Sequence, residues 1–260
     1  MSDTPVLWSM DQRGVAHVVL NRPAVNNAYD GGMIDGLHAA MDALSGEPGL
    51  RVVVISGNGR HFQAGADLKW LNAVRSGTRD ENIDASQRTA GAVDRLNRLP
   101  LPTVALIQGF CVGGGTGLAA ACDVVIAAED ATFAISEVRW GLTAAIIIPQ
   151  LADAIGARQI RRYALTGERF GADEARRIGL VHEVVPASEL SAAGDRVVDA
   201  LLANGPKALA ETKSVALDHA FGNVSQATMS GLVTSHAEKR MSDEAGEGLT
   251  SFKEKRHARW

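Results

Sequence analysis

Apolar residues along this chain come in short runs that alternate with amphipathic stretches, and the alternation predicts its elements. Val15-Ala16-His17-Val18-Val19-Leu20 reads as a strand, stopped at Asn21-Arg22-Pro23 because proline cannot continue a ladder. Asp30 then precedes Ile34, Leu37, Met41 and Leu44, whose spacing draws one helix face behind an acidic cap. Val52-Val53-Val54-Ile55 is an unbroken β-branched run closed by Ser56-Gly57-Asn58-Gly59, the pattern of a strand buried on both faces. A helical pattern runs from Asp67 to about Val74. The polar stretch Gly77-Thr78-Arg79-Asp80-Glu81, a candidate lid or pocket wall, separates it from a second helix reaching Leu99. Strands follow at Thr103–Ile107, Val124–Ala127 and Ala131–Ile135. Strands and helices in alternation favour an α/β architecture. From about Ala187 the pattern is helical: Leu190 to Ala203, Pro206 to Ala220 with proline at a helix start, and two more segments to Trp260. The chain therefore divides into an α/β core over residues 1–200 and a helical region over 201–260. That region packs either on its own core or on another subunit.

Between the strand at Thr103 and the apolar Leu118-Ala119-Ala120-Ala121-Cys122 lies Gly113-Gly114-Gly115-Thr116-Gly117. A glycine turn opening a helix leaves backbone N–H groups free to hold a phosphate or a developing oxyanion. A phosphate loop would place a lysine and a Ser/Thr straight after the glycines, and a dinucleotide fingerprint would need G-x-G-x-x-G near the chain start. Neither is present, which leaves the oxyanion hole. It needs a second donor, and a second glycine-centred turn, His61-Phe62-Gln63-Ala64-Gly65-Ala66-Asp67, can supply one.

Composition narrows the function class. The 260 residues are 46% hydrophobic, enough for a substantial core, and the net charge of −4 gives no electrostatic footprint for nucleic acid or a membrane surface. Basic residues do gather near the C-terminal end, at Lys253, Lys255, Arg256 and Arg259. Only Cys111 and Cys122 are present, and no N-terminal run has the form of a targeting signal, so a reducing, cytoplasmic setting is expected. No apolar run approaches the length of a membrane span. The histidines show no metal-binding spacing, so no metal is expected. Cys111 lacks a partner at a recognisable spacing and reads as a small hydrophobe.

The ordered set Phe62-x-Ala64-Gly65-Ala66-Asp67-Leu68, Gly109-x-x-x-Gly113-Gly114-Gly115, Ala121-Cys122-Asp123 and Phe133-Ala134-Ile135-Ser136-Glu137 resembles the crotonase (enoyl-CoA hydratase/isomerase) superfamily. The resemblance extends from Asn21-Arg22-Pro23 through Leu165-Thr166-Gly167 and Gly179-Leu180-Val181 to Phe252-Lys253-Glu254-Lys255-Arg256. It implies a crotonase-like α/β spiral of ββα units with a C-terminal helical trimerisation region. It also implies a homotrimer or dimer of trimers, and an acyl-CoA thioester as substrate with no permanently bound cofactor.

By that resemblance the N–H groups of Ala66 and Gly114 would hold the thioester oxygen while Glu137 moves the proton. Backbone near Val25, Ala64 and Leu68 would receive adenine and pantetheine, with Asp67 in the same segment, and Lys69, Phe252 and Lys255 would meet the nucleotide. Hydratases of the family commonly carry another glutamate two residues past the glycine triplet, where this chain has Gly117. Glu137 alone suffices for a double-bond shift, and for hydration if backbone near Thr143 to Ile146 holds the water. Ser136-Glu137-Val138-Arg139 with Ala157-Arg158-Gln159-x-x-Arg162-Tyr163 resembles bacterial methylglutaconyl-CoA-type hydratases, which makes hydration the first expectation. A Δ3,Δ2-enoyl-CoA isomerase and a weakly catalytic acyl-CoA-binding homologue are the alternatives. Arg139 is a candidate reader of a second substrate carboxylate. Trp140 and Ala144-Ala145-Ile146-Ile147-Ile148-Pro149 are expected to make the pocket tight and apolar.

Overall fold

The structure is a computed structural model that describes residues 4–220 and 225–256. Its main sheet has the strand order β1-β2-β3-β4-β6-β9, with β1 Val6–Met10, β2 Val15–Leu20, β3 Val52–Gly57, β4 Thr103–Ile107, β6 Val124–Ala128 and β9 Glu183–Val185. β1 pairs antiparallel with β2, and every other pairing in this sheet is parallel. A smaller sheet joins β5 Phe110–Val112, β7 Thr132–Ala134 and β8 Phe170–Gly171, in the order β5-β7-β8. Gln63 adds a parallel bridge to Cys111 at the edge of this second sheet.

Each turn of the chain thus lays one strand in the large sheet, a shorter one in the small sheet, and then a helix. β4 and β5 are followed by α4 Gly114–Ala120, and β6 and β7 by α5 Ile148–Thr166. The β3 unit follows the same course, with Gln63 as its short rung before α2 Leu68–Arg75 and α3 Arg79–Asn97. The remaining helices are α1 Gly31–Ser45, α6 Ala172–Ile178, α7 Leu190–Leu202, α8 Pro206–Ala220, α9 Gln226–Arg240 and α10 Asp243–Lys253.

α1 buries Met33, Ile34, Leu37, Met41 and Leu44, and Asp30 caps it by accepting from Met33 N at 2.9 Å. β3 is buried almost throughout, with Val53 and Ile55 facing the main core and Val52 and Val54 facing a second cluster closed by α7. Three parts of the chain differ from the sequence expectation. β1 was not expected, because Val-Leu-Trp-Ser-Met does not alternate cleanly and Trp8 is 38% exposed on what is an edge strand. α5 was read only as an apolar wall and a motif, since Gly156, at φ 72° and ψ 153°, interrupts its helical period. The polar stretch 77–81 is no pocket wall: it is a tight helix entry, where Thr78 and Glu81 form a reciprocal capping box. Asn82 fills that turn by donating to Val74 O at 2.6 Å and Thr78 O at 3.0 Å.

The C-terminal helices pack on their own chain. Val233 of α9 enters the main core, and Gly141 and Gly248 let α10 lie directly on the backbone around Trp140. Asp123 ties α8 to the sheet, accepting from Thr103 N at 2.7 Å and from Lys213 Nζ at 2.8 Å. The expected helix end at Trp260, and Arg259, lie outside the described residues.

Candidate active site

Two glycines at positive φ shape the floor of a large cavity. Gly65 has φ 86°, and Tyr29 bonds the residues on either side of Ala66: Tyr29 N donates to Gly65 O and Asp67 N donates to Tyr29 O, both at 2.8 Å. A parallel bridge of this kind turns the N–H of Ala66 to the opposite side. Gly113 has φ 55° and ψ −123°, a region open to glycine, and its O accepts from Thr116 N and Oγ1. The N–H of Gly114 then opens α4 without an intrahelical acceptor. Among the described residues neither the Ala66 nor the Gly114 N–H has a hydrogen-bond acceptor. Both residues border one cavity of about 920 Å³.

Glu137 opens the helical turn Glu137–Trp140 and borders the same cavity. Its Oε1 approaches the turn so closely that a methyl group on Gly113 would stand 3.2 Å from it. Its Oε2 is shielded from solvent and has no hydrogen-bond partner. Burial pushes the carboxyl up to about 7, partly offset by the N–H groups of Glu137 itself and Ser136. The side chain is therefore a carboxyl balanced between acid and base near neutral pH, beside two free N–H groups.

Gly117 faces Ile147. A side chain at 117 would collide with Ile147 Cγ2 and sit 2.8 Å from its Cβ, so no carboxylate fits there. Ala144, Ile146 and Ile147 form this apolar side of the cavity. A methyl on Gly114 would meet Tyr29 Cε1 at 2.6 Å, so the phenol ring lies against that turn.

Of the other sequence candidates, Ala64, Leu68, Phe252 and Lys255 border the cavity, whereas Val25, Asp67 and Lys69 do not. Asp67 is engaged elsewhere: it caps α2 through Lys69 N at 2.9 Å and pairs with Arg22 at 3.2 Å. Phe252 is 45% exposed and sets its edge against Trp140, centroids 4.2 Å apart at 88°. Trp140 and Arg139 border the cavity too, but the Arg139 Nε is already donated to Gly167 O at 2.8 Å. Cys111 is buried in β5 and its thiol is pushed well up by burial, which leaves it unreactive. Sequence reasoning missed Tyr29, His236 and Arg240, which also border the cavity. His236 and Arg240 stand four residues apart, one helical turn of α9, but nothing in their neighbourhood marks them as other than a polar helix face.

Among the described residues no group of His, Cys, Asp and Glu could hold a metal ion, and no helix is long and apolar enough to cross a membrane.

Comparison with known proteins agrees with this geometry. The family model described as enoyl-CoA hydratase/isomerase matches residues 10–260. A Thermus thermophilus protein named as a candidate enoyl-CoA hydratase is 36% identical over 203 residues, 78% of this chain and 80% of its own. The mitochondrial Δ(3,5)-Δ(2,4)-dienoyl-CoA isomerase of Dictyostelium discoideum is 29% identical over 258 residues, 95% of this chain and 87% of its own. The crystal structure of an enoyl-CoA hydratase from Mycobacterium avium superposes with a TM-score of 0.87 at 32% identity, covering 99% of both chains. The free N–H pair beside a half-buried glutamate thus sits in a crotonase fold, and the chain belongs to the enoyl-CoA hydratase/isomerase family.

Proposed function

We propose that this enzyme adds water reversibly across the double bond of a 2-enoyl-CoA thioester, with Glu137 as the only carboxylate that moves the proton. The observation that carries the reading is the Glu137 carboxyl itself: an unpartnered Oε2, an acidity raised to about 7, and a position on the same cavity as the Ala66 and Gly114 N–H groups. In this reading the two N–H groups hold the thioester oxygen, on which negative charge accumulates as the β-carbon is attacked. Donors fixed before the reaction act on that charge only as it forms, and each is worth roughly 3–4 kcal/mol of barrier. Ionised Glu137 takes a proton from water as its oxygen bonds to the β-carbon, then returns that proton to the α-carbon, so that one water is consumed and the carboxylate is regenerated.

A second reading, movement of the double bond between the 3 and 2 positions, is favoured by one observation. Ile147 fills the space where another carboxylate would stand, and an apolar wall suits a proton carried between two carbons more than a bound water. The finer resemblance to methylglutaconyl-CoA-type hydratases supports hydration. CoA is assigned to the side of the cavity bordered by Ala64, Leu68, Phe252 and Lys255. Assembly into a trimer or dimer of trimers through the region 201–260 belongs to the same proposal, with light scattering as its check.

Incubation of 2-enoyl- and 3-enoyl-CoA thioesters in D₂O with the parent and with Glu137→Gln tests the reading. Water addition by the parent, lost by at least a thousandfold in the variant, is the expected result. Conversion of the 3-enoyl to the 2-enoyl isomer without water addition would replace hydration by isomerisation. CoA binding with no α-proton exchange would reduce the chain to an acyl-CoA-binding protein.

A further inference from the structure

Arg240, the last residue of α9, is 2% exposed, and it is the largest side chain buried to that degree. Buried guanidinium groups are ordinarily held by carboxylates, because a charge removed from water without a counter-charge costs several kcal/mol. Arg240 has no acidic partner among the described residues. Its Nη2 donates to Ser86 Oγ, and to His236 Nδ1 at 3.1 Å. Ser86 Oγ–H in turn meets the same His236 nitrogen at 2.9 Å, so that nitrogen is an acceptor and the ring is neutral. The guanidinium carbon lies 5.7 Å from the centroid of the Trp70 ring, a contact that tolerates a cation without neutralising it. Nη1 is shielded from solvent and has no hydrogen-bond partner at all.

This uncompensated cation borders the same cavity as Glu137. Tyr29 lies between the two regions: its ring abuts Gly114 on one side and stands edge-on to Trp70, centroids 5.6 Å apart, on the other. Its hydroxyl feels both Arg240 and Glu137. Apolar side chains of α1, α2 and α3, namely Ile34, Leu37, Leu71 and Val93, also border the cavity.

We infer that Arg240 is the binding site for a second carboxylate at the far end of the substrate's acyl group, so that the enzyme selects ω-carboxyacyl-CoA thioesters over plain fatty acyl ones. A carboxylate there would accept from the unpartnered Nη1 and supply the charge that the protein withholds. The planar fork of arginine matches a carboxylate in two parallel hydrogen bonds. Ser86 and His236 are positioning residues: as neutral acceptors they fix one edge of the guanidinium and leave its charge for the ligand. The role that the sequence suggested for Arg139 falls to Arg240, because Arg139 is committed to Gly167 O and stands at the exposed mouth.

The inference rests on the acyl-CoA reading of the cavity but not on which reaction follows. Calorimetric binding of two unreactive thioesters, adipoyl-CoA and hexanoyl-CoA, measures it without turnover. The parent should bind adipoyl-CoA at least tenfold more tightly. Arg240→Met, which keeps the stem and its contact with Trp70, should bring the ratio to about one. Arg240→Lys should restore part of it. Kinetics of 2-hexenedioyl-CoA against 2-hexenoyl-CoA should show the same discrimination, mainly in KM. Equal binding of the two thioesters by the parent would overturn the proposal, and this arm stands even if neither variant folds. A ratio that survives in Arg240→Met would overturn it as well. Selective adipoyl-CoA binding without turnover of any enoyl thioester would instead remove the hydratase and isomerase readings and leave the carboxylate site in place.

Discussion

At the scale of single residues, the acidity of Glu137 links the proposed proton transfer to stability. Its folded value of about 7 stands above the ordinary 4.5, so the folded protein binds this proton more tightly than the unfolded chain. The associated stability is complete below pH 4.5 and is lost as the pH rises to about 7. Above that the ionised carboxylate weighs against folding by roughly 3 kcal/mol. Glu137→Gln should therefore melt several degrees above the parent at pH 8, and this difference should vanish near pH 4.5; scanning calorimetry at the two pH values checks it. The parent's kcat/KM should rise with pH and level off above about 7. An inactive variant that is also the more stable one is the mark of a group kept for chemistry. Glu137 was legible in the sequence because it occupies its place in an ordered motif. Arg240 was not, since its meaning comes from the absence of a counter-charge, and an absence in space has no linear signature.

At the scale of elements, the short helices that begin at the glycine turns position the site, and α2 depends on one cap. Asp67 accepts from the N–H groups of both Lys69 and Trp70 and also holds Arg22. Asp67→Ala should cost about 1 kcal/mol or somewhat more in urea denaturation. Because Ala66 precedes this residue directly, the variant should also lose kcat/KM on any thioester that turns over, with loss of stability alone counting against a link between cap and site. Helices and strands with an uninterrupted period were readable: α1 by its apolar face and β3 by its β-branched run. Those that break the period were not. α5 carries Gly156 at positive φ within it, and β8 has only two residues, too few for any periodicity to register. Of the small sheet only β7 was readable, as the run Ala131–Ile135, while β5 and β8 were not, although that sheet is what brings Gln63 beside Cys111 and so joins the two glycine turns.

At the scale of the whole molecule, the cavity is bordered by residues from Asn26 to Arg256, so nearly the full length of the chain contributes. Deletion from Phe252 onward removes the edge-on partner of Trp140 and the Arg256–Glu247 pair, while the main core contains nothing beyond Val233 and so stays intact. Affinity for CoA should fall roughly tenfold, about what 1.4 kcal/mol carries, with little change in melting temperature. Calorimetric titration with CoA checks this, and unchanged affinity would detach Phe252 and Lys255 from the nucleotide. The α/β core was legible from alternation alone, but the sequence left open whether the final helices pack on their own core. Val233 in that core and Gly248 against Trp140 answer it only in three dimensions. The placement of α9 and α10 also imposes an order on biosynthesis. Ala66, Gly114 and Glu137 leave the ribosome before Arg240 and Phe252 do. Until α9 and α10 emerge, the nascent chain carries the proposed proton-transfer group without the cavity wall that Arg240 and Phe252 complete, and the space for the proposed thioester is still open.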